Sequence, residues 1–568
     1  MHLIIYESLT QNNMKTRINY LKLLLAALMC MLTGQVMAYD LAIANADGIT
    51  IYYNYINDGR ELEVTYKVRG DGYMNQPDYM PANHESGYAK PNIKVINVPE
   101  DVTYMGRSRK VTAIGDFAFC PADSDTLMSL VEVTLPRSVK SVGIGAFAMN
   151  DSLRRVPGFE YASTLGHSVF YRCSNLEEIK LSDEMTELTG RTFHLCTSLK
   201  EVIVPDKVQK IGNSAFQGCS ALQKVSLPKG LKTIGSDAFR WCSSLSDIAL
   251  PDSLVEIGFT AFLDCSSIKS IKIPTSLTFT LNGTVAWGVF NSCSGLETVE
   301  LPEGLTNIPN ETFLQCTSLS SIKLPSTIET IGRRAFYRCS ALTSFEIPAK
   351  VQVLEEQTFV LSGLTSIVIP PTVKTIKNDC FHSCFKLDSV EFCEGLEEIG
   401  PNAFAMDNLT WPEYKIRAVE LPSTLKVLGD GAFARNINLN AVTFYGPTEL
   451  GDGIFEYCPN LAMVSSYTDE PKAFHGFGEE KMGFTQDQFY NVTLQIPYGT
   501  TETYKATNGW KDFIWVDEVE PTGIAKLPTD GGQRKGSQAT YDLQGRKISS
   551  SKGLKGIHIV GGKKILER

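Results

Sequence analysis

The fold follows from one stretch of sequence, IGNSAFQGCSALQKVSLP from Ile211, because the chain repeats it almost unchanged. Near copies are IGSDAFRWCSSLSDIALP from Ile234, IGFTAFLDCSSIKSIKIP from Ile257 and IGRRAFYRCSALTSFEIP from Ile331. Self-similarity at a fixed period is typical of repeat arrays. An array also suits a chain of 568 residues, which is too long for one ordinary hydrophobic core.

A phenylalanine marks each repeat, and we call these residues the marker phenylalanines. They are Phe119, Phe147, Phe170, Phe193, Phe216, Phe239, Phe262, Phe290, Phe313, Phe336, Phe359, Phe381, Phe404, Phe433 and Phe455. Nine of the fourteen steps are 23 residues, and the longest steps, before Phe147, Phe290 and Phe433, indicate loop insertions on one face. The pattern predicts a repeat solenoid, a β-rich right-handed coil of about 15 repeats of 23 residues.

Each repeat contains a predicted strand and a predicted turn. Leu222, Val225 and Leu227 end in the alternation of a half-buried strand, and Pro228 stops it because proline cannot donate to a ladder. The following I-G-x-x-A-F piece predicts a turn or a single helical turn. We expect its glycines to lie at a tight bend: Gly212, Gly235, Gly258 and Gly332.

A single coil cannot be stable alone, since its few apolar side chains do not offset the backbone entropy of ordering it. Stacked coils share their apolar rows, and the two terminal coils then need covering. Residues 39–110 suit the first end, with a predicted hairpin around Asn57-Asp58-Gly59. Residues 466–520 suit the other, with a strand at 492–497 and an apolar lid from Tyr504, Trp510, Phe513 and Trp515.

The repeat unit resembles the BspA-like, or LRR-5, class of leucine-rich repeats. The resemblance runs from about Val111 to Val464 and rests on I-G-x-x-A-F-x-x-C-x-x-L-x-x-I-x-L-P, which appears nearly whole in several coils. Coils lacking the cysteine depart from it, namely those at Phe147, Phe359, Phe404 and Phe433. Proteins of this class are typically bacterial surface or secreted proteins, some of them implicated in adhesion to host matrix proteins, coaggregation or host-cell contact. The resemblance therefore implies a secreted or cell-surface repeat protein.

The N-terminus predicts a signal peptide, residues 1–38. Cationic residues precede the apolar run Leu23 to Leu32, and Val36-Met37-Ala38 resembles a cleavage site, so we expect cleavage after Ala38. Met29 is larger than the residue expected before a lipidated cysteine at Cys30. No other run reaches the roughly 18 apolar residues of a membrane helix. The mature chain is therefore predicted to be secreted or at the cell surface, with association to the outer membrane left open.

Composition and motifs exclude several function classes. A net charge of -10 argues against nucleic acid as partner. Phosphate-loop, zinc-protease, nucleophile-elbow and calcium-loop motifs are absent from the sequence, and Gly166-His167-Ser168, the nearest approach, continues into the marker Phe170. Cys380, Cys384 and Cys393 near His382 lack the second ligand pair of a zinc site. We predict neither catalysis nor a metal or cofactor.

Ten of the fourteen cysteines stand three residues after a marker phenylalanine, so they should form a column through the solenoid: Cys173, Cys196, Cys219, Cys242, Cys265, Cys293, Cys316, Cys339, Cys384 and Cys458. Each would have two equivalent neighbours, which argues for buried free thiols acting as small apolar residues. The alternative is disulfide bonding within part of the column, because a secreted protein meets oxidants.

Two surfaces are candidates for a ligand. The residue between the inward strand positions should point outward, which gives the row Lys180, Ile203, Ser226, Ala249, Lys272, Glu300, Lys323, Glu346, Val368, Glu391, Glu420 and Thr443. Lysine and small residues dominate its first half and glutamate its second. The second surface, just after the marker phenylalanines, carries Tyr171, Arg172, Arg240, Trp241, Tyr337, Arg338 and Tyr457. The competing interpretations are a solvated strand face and aromatic side chains that only pack on the next coil.

A linker, residues 521–538, precedes a C-terminal module, residues 539–568, with two predicted strands. Its Y-D-L-Q-G-R-K and K-G-x-x-I-V-x-G-K-K patterns resemble the sorting domains of type IX secretion; the alternative is a small β appendage. With the solenoid at 111–465 between the two end regions, the sequence predicts adhesion-type binding of host or neighbouring-cell proteins or glycans. A structural spacer without a ligand and an unrecognised enzyme are the alternatives.

Overall fold

The computed structural model describes residues 36–69, 87–88, 92–121, 129–407, 415–519, 540–541, 547–548, 556–560 and 563–567. The predicted leucine-rich-repeat solenoid is confirmed. Most coils run through a short strand, a turn and a second, shorter strand before the next coil begins; the coils around residues 180, 323 and 346 lack the first strand. Strands of adjacent coils pair in parallel and in register, so equivalent residues of successive repeats lie side by side.

Where a coil has a first strand, that strand belongs to what we call the long-strand ladder, which corresponds to the predicted L-x-x-I-x-L strand. Its members are Val95–Asn97, Glu132–Thr134, Glu201–Ile203, Lys224–Ser226, Asp247–Ile248, Ser270–Lys272, Thr298–Glu300, Ser366–Ile369, Ser389–Phe392, Ala418–Leu421, Ala441–Phe444, Met463–Ser466, Thr493–Pro497 and Trp515–Val519. Proline then opens a turn, as where Leu231 N donates to Pro228 O at 3.2 Å. Proline thus ends the strand, as predicted.

A second set of strands, the short-strand ladder, precedes the turn and was not predicted. Its members are Arg107–Ile114, Ser141–Val142, Thr164–Leu165, Glu187–Leu188, Lys210–Ile211, Thr233–Ile234, Glu256–Ile257, Asn307–Ile308, Thr330–Ile331, Val353–Leu354, Thr375–Ile376, Glu398–Ile399, Val427–Leu428 and Glu449–Leu450. Most are two residues long, which is too short for an alternating pattern to show in sequence.

The turn around each marker phenylalanine forms a third side of the solenoid, which we call the turn face. Within a coil, the N–H of the column cysteine donates to the phenylalanine carbonyl at 3.0–3.2 Å. Between coils, each phenylalanine N–H from Phe119 to Phe433 donates to the next coil at 2.7–3.0 Å. In most coils the residues two before and two after the phenylalanine adopt left-handed backbone, as at Ser214 (φ 56°) and Gly218 (φ 76°). Consecutive turns, the first of our two alternatives, therefore replace a helical turn.

The repeat glycines open the predicted turn, as where Ala215 N donates to Gly212 O at 3.3 Å, but they do not supply left-handed backbone. Gly212, Gly235, Gly258 and Gly332 are absent from the residues with positive φ. Instead, a Cβ on Gly212 would lie 2.5 Å from Gly190 N, and one on Gly258 would lie 2.2 Å from Ser236 N. Glycine is needed here because the backbone of the preceding coil approaches too closely for a side chain.

The core is a continuous column of the marker phenylalanines. All fifteen are fully buried. Consecutive rings lie 5.0 to 6.1 Å apart between centroids, and most are nearly parallel. Such offset pairs contribute about 0.5–1.5 kcal/mol each beyond the area that they bury. Every coil therefore depends on both neighbours, as expected of a solenoid.

The N-terminal residues form a sheet that continues the short-strand ladder. Leu41–Ala44, Thr50–Ile56 and Glu61–Thr65 are antiparallel, and Glu61–Thr65 pairs in parallel with Arg107–Ile114. Asp101–Tyr104 pairs antiparallel with Arg107–Ile114 on its own branch. The predicted hairpin is confirmed, with Asn57, Asp58 and Gly59 at φ 49°, 55° and 76°. The Tyr88 ring lies 5.0 Å from Phe119 and so extends the aromatic column.

At the other end, the strand predicted at 492–497 is Thr493–Pro497, and two short helices, Gln486–Asn491 and Thr501–Ala506, were not predicted. Tyr504, Trp510 and Phe513 are buried, as expected of a lid. Trp515 is not part of it, because 60% of its surface is exposed on the last strand of the ladder. Single turns of 3-10 helix occur at Phe159–Tyr161 and Trp510–Asp512.

Several predictions fall wholly or partly outside the described residues. These are the signal peptide up to residue 35, the linker 521–538, and parts of the N-terminal end region, of the insertions before Phe147 and Phe433 and of the C-terminal module. Val36–Met37 pairs antiparallel with Val68–Arg69. The insertion before Phe290 is a hairpin of Thr280–Leu281 and Thr284–Val285. Thr540–Tyr541, Lys547–Ile548, Gly556–Val560 and Lys563–Glu567 form one antiparallel sheet, which is four strands rather than the predicted two. Within the described ranges no helix has the length and apolarity to cross a membrane.

Candidate ligand-binding surfaces

The outward row of the long-strand ladder is brought together by in-register pairing. Ile203 pairs with Ser226, and Lys272 with Glu300. Nine of the twelve side chains are exposed: Lys180, Ile203, Ala249, Lys272, Glu300, Lys323, Glu346, Val368 and Glu420. Ser226, Glu391 and Thr443 are half-buried. The orientation expected from strand geometry is therefore present, while the role of the row as a ligand surface stays a prediction.

An open groove of about 400 Å³ lies on this row. Three predicted residues line it, Lys272, Glu300 and Lys323, and the sequence reasoning missed its other polar members, Ser270, Thr298 and Glu303. Lys272 Nζ lies 3.3 Å from Glu300 Oε1. Both side chains are largely exposed, so this ion pair adds at most about 1 kcal/mol and leaves both groups available to a ligand.

On the turn face, the half-buried Arg240 and the exposed Trp241 form a cation–π pair. Arg240 Cζ lies 4.3 Å from the Trp241 ring centroid, and 42% of Trp241 is exposed. Arg240 Nη1 lies 3.2 Å from Asp237 Oδ1, which also accepts a hydrogen bond from Thr260 Oγ1 at 2.7 Å. Trp241 has left-handed backbone (φ 63°). With 42% of its surface exposed, the indole is accessible to solvent rather than fully packed on the next coil.

Tyr171 and Arg172 have different environments. The Tyr171 ring is half-buried and stacks on His194 of the next coil, with centroids 5.0 Å apart. Arg172 is exposed. Burial, together with Arg191 and Arg172, lowers the pKa of His194 to about 4. At neutral pH the positive charge of this region therefore comes from the arginines.

Tyr337 and Arg338 repeat the same dipeptide among carboxylates. Arg338 Cζ lies 5.7 Å and Arg334 Cζ 6.0 Å from the Tyr337 ring centroid. Arg334 Nη1 lies 3.8 Å from Glu311 Oε1, and Arg333 Nη2 lies 3.2 Å from Glu356 Oε1. Both carboxylates come from neighbouring coils, 23 residues away from their arginines, so the local sequence does not predict these ion pairs.

Tyr457 lies on the turn face of the last repeat, two residues after the marker Phe455. It is exposed, and Arg435 of the preceding coil lies over its ring with Cζ 5.3 Å from the centroid. Aromatic and arginine side chains are thus paired at several positions along the turn face. Such pairs keep a large apolar surface ordered while it remains accessible to solvent.

A family model described as the BspA type leucine rich repeat region matches residues 85–222, 186–286, 283–410 and 411–473. These matches cover well over half of the chain. The chain belongs to this family. Its repeats are accordingly called BspA-type repeats below, and repeat proteins of this kind are not usually enzymes.

Among solved structures, the chain is similar to a leucine-rich repeat protein from Bacteroides ovatus, with 21% identity, a TM-score of 0.49 and coverage of 76% of this chain and 95% of that one. A leucine rich cell surface protein from Faecalibacterium prausnitzii gives 21% identity, a TM-score of 0.44 and coverage of 75% and 94%. The pneumococcal vaccine antigen PcpA gives 16% identity, a TM-score of 0.33 and coverage of 85% and 100%. No curated protein matches the chain.

The column cysteines have a structural role in these BspA-type repeats. Each of the ten is buried and donates its Sγ–H to the marker phenylalanine carbonyl of the preceding coil, with Sγ–O distances of 3.0–3.3 Å. Burial raises the pKa of the Cys219 thiol to about 12. All ten are unpaired thiols in the structure. Such thiols are poor nucleophiles, which fits a packing role.

Asparagine replaces the cysteine in two BspA-type repeats that depart from the sequence pattern. Asn150 Nδ2 donates to Phe119 O at 2.9 Å, and Asn436 Nδ2 donates to Phe404 O at 2.9 Å. The donor is therefore kept where the thiol is lost. Among the residues that the structure describes, no group of three or more His, Cys, Asp or Glu side chains is placed to hold a metal ion.

Proposed function

We propose that this BspA-type protein is an adhesion-type binding protein, displayed at or released from a bacterial surface. Its ligand is a protein or glycan of the host or of a neighbouring cell. The observation that carries the proposal is the exposed Trp241 on the turn face, held in a cation–π pair by the half-buried Arg240 with a Cζ-to-centroid distance of 4.3 Å. Tryptophan and arginine are the residues most enriched where interfaces gain their affinity.

The solenoid geometry supports an extended ligand. Parallel strands lie about 4.7–4.9 Å apart, so equivalent exposed residues recur at that spacing along the axis. The turn face repeats aromatic–arginine pairs at Tyr337 and Tyr457, and the long-strand ladder carries the groove at Lys272 and Glu300. A long partner could contact several coils at once, whereas a compact small-molecule site would need an enclosed pocket.

Display outside the cell rests on three features. The family is that of bacterial BspA-type repeat proteins, the segment before residue 39 has the pattern of a signal peptide, and residues 539–568 resemble a sorting module. The buried free thiols of the column suit an oxidising environment, because burial protects them from oxidants.

The test is saturable binding by the chain from residue 39 onward to arrays of matrix proteins and glycans. We expect Trp241→Ala to weaken binding at least tenfold, or about 1.4 kcal/mol, because truncating a central anchor commonly costs that or more. The matched control is Tyr498→Ala, since Tyr498 is 69% exposed but lies outside the repeats. A spacer protein would bind nothing saturably. Binding that survives Trp241→Ala would move the site to the long-strand ladder.

A further inference from the structure

The last strand of the long-strand ladder, Trp515–Val519, leaves one edge of its sheet open. It pairs in parallel with Thr493–Pro497, and no strand in the described ranges pairs with its other side. Tyr498 N donates to Val519 O at 3.1 Å, so alternate residues face that neighbour, and the backbone N–H and C=O groups of Val516 and Glu518 face away from it. Such groups are a template for a further strand. We call the outer side of Trp515–Val519 the terminal edge.

An apolar patch adjoins the terminal edge. It consists of four exposed side chains, Phe477, Tyr490, Ile514 and Trp515. The Phe477 and Tyr490 rings lie 5.6 Å apart between centroids, and Trp515 Nε1 donates to Tyr490 O at 3.0 Å. Contiguous apolar surface of this kind is typical of an interaction site.

The terminal edge is also acidic, which limits what can pair with it. Residues 514–520 contain three acidic residues and no lysine or arginine, and Asp517 and Glu518 are both exposed. Lys505 acts on Glu518 but already lies 3.6 Å from Glu502. An identical strand from a second copy would bring like charges together, which is destabilising. The terminal edge therefore favours a strand that carries positive charge.

The C-terminal module has the opposite charge and needs a surface to pack on. Residues 539–568 contain seven lysine and arginine residues against two acidic ones. Thirty residues are fewer than the roughly 40 below which a fold needs disulfides, a metal or a partner, and the last cysteine of the chain is Cys458. One edge of the sheet of the module is Lys563–Glu567, which matches the five residues of Trp515–Val519 in length and contains Lys563 and Lys564.

We propose that Lys563–Glu567 pairs with the terminal edge of the same molecule, so that the C-terminal module extends the last sheet of the solenoid and covers the apolar patch. Twenty residues, 520–539, separate the two strands, and a flexible segment of that length spans roughly 25 Å on average. Such a connection holds the module at a millimolar local concentration, which favours pairing within one molecule over pairing between molecules. The proposal does not depend on which ligand the solenoid binds.

The experiment measures hydrogen exchange in the chain from residue 39 onward, by mass spectrometry of peptides that cover Trp515–Val519. We expect the Val516 and Glu518 amides to exchange about tenfold more slowly in wild type than in the variant that combines Lys563→Glu and Lys564→Glu. That variant turns attraction at the terminal edge into repulsion, and a tenfold change corresponds to about 1.4 kcal/mol. Equally fast exchange in wild type and in this variant overturns the proposal.

The matched control combines Lys552→Glu and Lys555→Glu, which reverses the same number of charges in the module but outside its described strands. It should leave the exchange of the terminal edge unchanged. An equal loss of protection in this control overturns pairing through Lys563–Glu567, because the attraction would then belong to the module as a whole.

A charge swap tests the contact from the other side. Asp517→Lys alone should remove the protection, and adding Lys563→Glu and Lys564→Glu to it should restore the protection, because opposite charges then face each other again. Failure of the swap to restore protection overturns the proposal. Protection that rises with protein concentration, together with a dimer in light scattering, also overturns it and identifies a second copy as the occupant of the terminal edge.

Discussion

Replacing Gly212 with alanine tests how closely adjacent coils approach. The added Cβ would lie 2.5 Å from Gly190 N and 2.8 Å from Gly190 Cα, where ordinary contacts begin at 3.4 Å. The shortfalls of 0.9 and 0.6 Å fall on backbone atoms, and the two ladders restrain that backbone. Gly212 N itself donates to Leu188 O at 2.7 Å, so the coils cannot separate without losing this bond.

Forcing extra volume into a packed site costs about 1–3 kcal/mol, and alanine returns only about 0.4–1 kcal/mol by restricting the unfolded chain. We therefore expect Gly212→Ala to lower stability by about 2 kcal/mol, with a lower urea midpoint. Hydrogen exchange should report faster exchange of the Gly212 and Phe193 amides than of amides several coils away, because repeat proteins respond locally. Thr189 occupies the equivalent position one coil earlier, so a Cβ is tolerated in that coil. The loss of stability expected for Gly212→Ala is therefore specific to the close approach of Gly190 to Gly212.

The control is Gly230→Ala, whose Cβ would meet only Asp206 O at 3.8 Å. It should be neutral or slightly stabilising. Gly212→Asn separates the two explanations for the glycine, because asparagine tolerates left-handed backbone but needs the same space. An asparagine variant as stable as wild type would contradict the close approach. Gly212→Ala with an unchanged midpoint would refute the close approach.

Further predictions concern the thiol column and the turns. Alkylation of the folded chain without reductant should leave Cys219 unmodified, because burial raises its pKa to about 12, and mass spectrometry would expose any disulfide as a contradiction. Asn150→Cys should raise the free energy of unfolding by about 1 kcal/mol, seen as a higher urea midpoint, since it removes a buried, unpartnered Oδ1 and keeps a donor. Because the pKa of His194 is lower in the folded chain than in the unfolded chain, the unfolded chain binds the proton first, and stability should fall as pH drops from about 6.5 to about 4. A His194→Gln variant that keeps the same dependence of stability on pH would contradict this role of His194. Ser214→Gly should stabilise by about 0.5–1 kcal/mol in a thermal melt, because Ser214 adopts left-handed backbone at φ 56°.

The repeat, the long strand and the buried phenylalanine column follow from the amino-acid sequence alone. Phe216 and its equivalents recur at almost constant spacing, and a solenoid must place residues of constant spacing side by side. The same reasoning correctly predicted that Cys219 lies in a column and that Lys272 points outward, because strand alternation is a local property. These features depend only on period and alternation, both of which are visible in the chain.

Contacts between coils depend instead on the distance of closest approach, which no local pattern records. The short-strand ladder, the carbonyl acceptor of the Cys219 thiol and the neighbour that excludes a Cβ from Gly212 all became visible only in three dimensions. The ion pairs of Arg334 and Arg333 join residues of separate coils. The low pKa of His194 likewise depends in part on Arg172, which belongs to the preceding coil. Tertiary packing therefore determines which charged groups meet, since charge interactions follow distance in space rather than distance along the chain.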